Sequence, residues 1–239
     1  MTTKLPATLI LSLFLTGFSY AVDAPASAVQ VDISKLLNIR FVTTLVDGKV
    51  KPHNVPDNTG YITKSAAAAL GVTDPHTLPD DGKFEANADH PEVILNYSTG
   101  GSQIHNSPAG KEEEYSFAVP PNHYEKMFLI LTSQKGGAPL DFTLTYQDGS
   151  TESRTELLSA WWSDPVWWVG RVPNDHDLYF IGHELSKFDN RGKLQESGHH
   201  FINALDIHPS PAKVLVEVKV HKAAPAQIFL WGVTGQVKN

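Results

Sequence analysis

From residue 140 to 146 the chain alternates without a break. Leu140, Phe142, Leu144 and Tyr146 are apolar, and Asp141, Thr143 and Thr145 between them are polar. Period two is the mark of a half-buried strand. Asp148-Gly149 follows, and glycine accepts the positive φ that a tight hairpin needs. The return strand, 151–157, is polar on both faces until its end, which places it at or near a sheet edge. Strand patterns recur at 29–33, 38–46, 92–97, 114–119, 126–133, 178–183, 199–208, 214–221 and 227–233. Gly100-Gly101, Pro120-Pro121 and Gly136-Gly137 punctuate them. About ten short, closely spaced strands predict an all-β sandwich or barrel rather than a β-α-β fold.

One stretch breaks the rhythm. Residues 47–91 hold Pro52, Pro56, Pro75, Pro79 and Pro91 among Asn and Asp clusters. A helical turn is expected at 63–70, because alanine is the best helix former, and Gly71 stops it. A connection this long is either functional or a wrap that covers the apolar face of one sheet.

The beginning of the chain changes the picture of where the protein works. Lys4, an apolar run at 9–18 and the small residues Ser19 and Ala21 read as a signal peptide, residues 1–21, cleaved after Ala21. Residues 22–28 then form a flexible leader, and 29–239 a single domain. Export to the periplasm or the outside is the expectation. The chain has no cysteine, which fits a bacterial route and a core large enough to do without disulfides. No later apolar stretch reaches spanning length, so no membrane span is expected after signal removal. A formal net charge of −7 without a basic patch argues against nucleic acid as a partner.

Four segments carry a resemblance. Leu78-Pro79-Asp80-Asp81-Gly82-Lys83-Phe84 precedes Glu92-Val93-Ile94-Leu95. The hairpin 140–151 comes next, and Trp161-Trp162 ends its return strand, with Ala160 where an Asp is usual. Leu205-Asp206, 213–220 and 228–234 close the chain. Together these resemble the galactose-binding-like modules attached to secreted bacterial glycan-processing enzymes. The resemblance implies an antiparallel jelly-roll β-sandwich and a carbohydrate ligand.

Chemistry is concentrated in the tryptophans. Trp161, Trp162, Trp167 and Trp168 fall within eight residues, with Trp231 far downstream. Adjacent residues of an extended chain point to opposite faces. One ring of each pair therefore faces outward unless a further layer covers it. Aromatic rings bury well against the C–H faces of sugars, so these four are the candidate ligand-binding residues. The alternatives are packing beneath the 47–91 stretch and an interface with a partner protein.

Other groups are weaker candidates. Asp80, Asp81, Asp175 and Asp177 supply oxygen of the kind calcium takes, without the spacing of a loop motif. They read as turn residues, and no cofactor is expected. His90, His105, His123 and His176 lie in expected loops where they could meet around a metal. His183-Glu184 lacks the second histidine of a zinc-protease helix. Glu112, Glu113, Glu114, Glu152 and Glu156 read as solvated. No nucleophile elbow, phosphate loop or dinucleotide fingerprint occurs. The expectation is a non-catalytic exported module that binds a glycan or cell-surface polymer. A jelly-roll polysaccharide lyase or hydrolase, and an envelope structural protein, are the other readings.

Overall fold

The computed structural model describes residues 27–55, 59–73, 76–98, 100–134, 137–160, 178–182, 184–189, 191–195, 200–223 and 226–237. In chain order the first strands are β1 (Ser27–Gln30), β2 (Val42–Val46), β3 (Lys49–Lys51) and β4 (Tyr61–Ile62), followed by helix α1 (Lys64–Ala69). Then come β5 (Lys83–Phe84), β6 (Val93–Ile94), β7 (His105–Ser107), β8 (Glu113–Asn122), β9 (Tyr124–Ser133), β10 (Ala138–Tyr146) and β11 (Thr151–Leu158). The last are β12 (Leu178–Gly182), β13 (Lys187–Phe188), β14 (Leu194–Gln195), β15 (Ile202–Asp206), β16 (Leu215–Lys222) and β17 (Ile228–Val237).

Two antiparallel sheets face each other, and neither closes on itself. One has the order β1-β17-β9-β15-β12, with β7 beside the other half of β17; the second runs β11-β10-β16-β8. Alternation builds the core between them. Leu140, Phe142, Leu144 and Tyr146 of β10 and Val218 and Val220 of β16 meet Met127, Leu129 and Leu131 of β9 and Leu230 and Val233 of β17. Each large apolar side chain so buried stabilises the fold by about 1.5–3 kcal/mol.

The intervening residues of β9 and β17 point the other way and are buried too. Phe128, Ile130, Phe229 and Trp231, with Ile202 and Ala204 of β15, form a second core against Phe41, Tyr61, Leu78, Val93, Tyr97 and Ile104. A third layer therefore covers the outer face of the six-stranded sheet. This is why β17 is buried along nearly its whole length instead of alternating. The proline-rich stretch belongs to this cover. It supplies β3, β4, α1 and β5, and Val55, Tyr61 and Leu78 enter the second core. The layer includes a sheet of order β14-β13-β4-β2-β3, in which β2 and β4 run parallel.

Local chemistry explains the boundaries. Helix α1 follows Thr63 and ends before Gly71, whose φ is +74°. Its second residue, Ser65, donates its N–H to Asp80 Oδ1 at 2.9 Å, so a distant aspartate does the work of a cap. The two Asp-Gly turns differ. At Asp47-Gly48 both residues have positive φ, the two-residue turn that joins β2 to β3. At Asp148-Gly149 only glycine does; the Gly149 N–H donates to the Tyr146 carbonyl at 2.9 Å and Asp148 Oδ1 accepts from the Ser150 N–H at 2.9 Å.

Two sequence expectations need correction. Pro120-Pro121 does not punctuate; both prolines lie inside β8. This strand is at the end of its sheet, opposite a register shift between Leu215 and Glu217, where missing N–H donors are tolerated. Ser27 and Ala28, expected within a leader over 22–28, pair with Val237 and Gln236 in β1.

Candidate functional site

Trp161, Trp162, Trp167 and Trp168 lie outside the described residues, as do Asp175, His176 and Asp177. The fifth tryptophan does not join a surface. Trp231 is 2 % exposed in the second core, and its indole N–H donates to the Thr132 hydroxyl at 3.1 Å. What the described residues give is the two strands that flank the tryptophan segment in sequence. The chain is described up to Ala160, just past β11, the terminal strand of the four-stranded sheet. It resumes at Leu178 in β12, the terminal strand of the other sheet.

The inner side of that edge is polar. Glu152, Arg154 and Glu156 of β11 sit opposite Leu144, Phe142 and Leu140. Cross-strand partners share a face, so these three point between the sheets, not to solvent as the sequence suggests. A chain of hydrogen bonds ties the four-stranded sheet to the connection between β15 and β16 here. The Ser210 N–H donates to the Tyr146 hydroxyl at 2.9 Å, which donates to Glu152 Oε2 at 2.8 Å. Arg154 Nη2 donates to Glu152 Oε1 at 2.6 Å and to the His208 carbonyl at 3.4 Å. Burial, opposed by the Ser210 N–H and reinforced by the neighbouring Glu152, leaves the Tyr146 phenol pushed up to about 12.

On the facing sheet, Phe180 of β12 and Leu131 of β9 flank Asn203 of β15. Leu131 belongs to the core between the sheets, so Asn203 and Phe180 face inward as well. Phe180 stacks on Phe201 with ring centroids 4.6 Å apart. Asn203 is 0 % exposed, and neither of its amide atoms makes a hydrogen bond among the described residues; nor does the buried Ser159 hydroxyl. Asp206, at the end of β15, is fully buried. It accepts the N–H groups of Met127 at 3.2 Å and His208 at 3.0 Å on one oxygen. His208 Nδ1 lies 3.4 Å from the other. Burial pushes the Asp206 carboxyl above the usual range. His208 itself has φ +46°, an uncommon conformation for a side-chain-bearing residue.

The remaining candidates disperse. The His90 Nδ1–H group faces the Pro91 carbonyl at 2.8 Å, with Asn87 on the other nitrogen. His105 lies against the Leu36 carbonyl and His123 against that of Pro211. Asp80 serves Ser65, and Asp81 Oδ1 accepts the Lys83 N–H. No group of three or more acids and histidines able to hold a metal occurs among the described residues. Sequence reasoning missed Arg154, Asn203 and Asp206. Arg154 sits on a strand polar on both sides, which hides its inward face, and a lone buried amide leaves no periodic trace.

Among the described residues no Phe, Tyr or Trp is exposed, and the exposed large apolar side chains are Leu70 and Ile94. On the opposite flank of the sandwich a groove of about 470 Å³ lies between Asp32, Lys35 and Leu36 and the terminal strand β8; its aromatic member, Phe117, is buried. Among the described residues the aromatic rings are thus buried or half-buried, and the inner faces of β11 and β15 carry guanidinium, carboxylate and amide groups. No family model matches the chain, and no match to a curated protein is found.

Proposed function

We propose that the protein is an exported, non-catalytic module that binds a glycan or cell-surface polymer through Trp161, Trp162, Trp167 and Trp168. The observation that carries this reading is the distribution of aromatic rings. The described surface exposes none, while four tryptophans are concentrated in a segment joining the terminal strands of the two sheets. Sugar binding by stacking needs rings at a surface, and we assign that role to this segment.

Strand order supports a galactose-binding-like jelly roll. Numbering β1, β8, β9, β10, β11, β15, β16 and β17 from first to eighth, one sheet reads 1-8-3-6 and the other 5-4-7-2. That is the order of two interlocked Greek keys. The third layer then decides which surface is available. It covers the outer face of the six-stranded sheet, so a ligand meets the edge rather than that face. The apolar filling between the sheets favours binding over an enzyme that works in a central groove. The signal peptide at 1–21 and the resulting periplasmic or extracellular location belong to the same proposal.

The test is an affinity gel series containing galactan, mannan, xylan and polygalacturonate. Retardation by at least one polymer is expected, and its loss when all four tryptophans are changed to alanine. Unretarded migration in every gel would sink the reading.

A further inference from the structure

His221 and Lys222 are neighbours on β16 and therefore point to opposite faces of the four-stranded sheet. Both grip the same piece of chain, the 108–112 turn, which carries the chain from β7 in one sheet to β8 in the other. From the inner side the Lys222 ammonium donates to the carbonyls of Pro108 at 3.1 Å, Lys111 at 2.6 Å and Ala226 at 3.0 Å. From the outer side His221 Nε2 lies 2.7 Å from Glu112 Oε1, and its Nδ1 lies 3.3 Å from Asp141 Oδ2.

The outer arrangement has a specific protonation requirement. A neutral imidazole has one N–H and one bare nitrogen, and a bare nitrogen facing a carboxylate is repelled. Both contacts are attractive only when both nitrogens carry protons. The surroundings are negative from each packed element. Asp141 comes from β10 and accepts the Thr155 hydroxyl of β11 on its other oxygen. Glu114 of β8 lies opposite His221 in register. Glu112 comes from the turn. The cation on the same face, Lys219 of β16, is 3.2 Å from Glu114.

We propose that His221 is a proton-operated clasp: protonated, it fastens the 108–112 turn to the outer face of the four-stranded sheet, and neutral, it releases it. The hydrogen bonds to Glu112 and then Asp141 hold the imidazole above its ordinary value of 6.5. The sign follows. Stabilisation by the clasp is fully present below the unfolded-state value and is lost as pH rises through the higher folded-state value. Lys222 holds the turn from the inner side through the Pro108 and Lys111 carbonyls, so the turn loosens at its outer side without detaching. For a module working outside the cytoplasm, this couples the order of its sheet-to-sheet crossover to ambient pH.

The experiment follows the His221 ring and the amides of 109–113 by NMR from pH 5 to pH 9, with exchange expressed as protection factors. The ring is expected to titrate above the ordinary histidine value. The turn's protection should fall about three-fold through the same midpoint, as expected for releasing an exposed ion pair. Glu112→Gln should lower the ring's midpoint and flatten the turn's response, with the thermal midpoint little changed. An ordinary or lowered His221 midpoint would overturn the proposal. So would protection that ignores it, or an unaltered response in Glu112→Gln.

Discussion

Single residues carry unequal weight in this fold. Lys222 is 1 % exposed, and its three donors serve three backbone carbonyls. Lys222→Met keeps most of the volume and strands all three acceptors, each of which costs about 1 kcal/mol unmet. Urea unfolding should therefore show a loss of about 2–3 kcal/mol. Asp206→Asn should do the opposite. Asparagine keeps an oxygen for the Met127 and His208 N–H groups and removes a buried charge. Because the Asp206 carboxyl is raised in the folded protein, its stabilisation is present below about 3.8 and lost as pH rises through the folded value. At pH 7 the variant should be more stable by about 1 kcal/mol, and the acid-side slope of stability should flatten.

Elements were legible where period two survived. The alternation at 140–146, the Asp-Gly turn and the terminal position of the return strand all correspond to β10 and β11, because one face of β10 is buried and the other solvated. The helix at Thr63 and its stop at Gly71 were legible from alanine and glycine alone. What could not be read were pairings between distant short strands. β4 pairs with β2 and β13, and β7 with β17, and two or three residues carry no period. Pro120-Pro121 misled because its tolerance depends on being at a sheet end, a property of the whole fold. At this scale Gly149→Ala should cost about 1 kcal/mol, since φ is +81° and no atom lies within 4 Å of the added methyl. Chemical denaturation would measure it.

At the scale of the molecule, three layers decide where function can sit. The proline-rich stretch buries the face that a two-layer sandwich would leave open, and Trp231 is spent on that junction. Trp231→Ala should cost about 3–5 kcal/mol, with glycan retention preserved in whatever fraction stays folded; thermal melts and the affinity gel separate the two. Of the candidate site, the four clustered tryptophans were legible as a composition and lie outside the described residues, while the inward polar groups Arg154, Glu156 and Asn203 appear only when strand pairing assigns them a face. The most direct measurement is iodide quenching of tryptophan emission, with and without a retained polysaccharide. Trp231 and one indole of each pair are expected to stay protected, two rings to be quenched, and the polysaccharide to shield those two. Emission wholly inaccessible to iodide, or quenching that the polysaccharide leaves untouched, would contradict it.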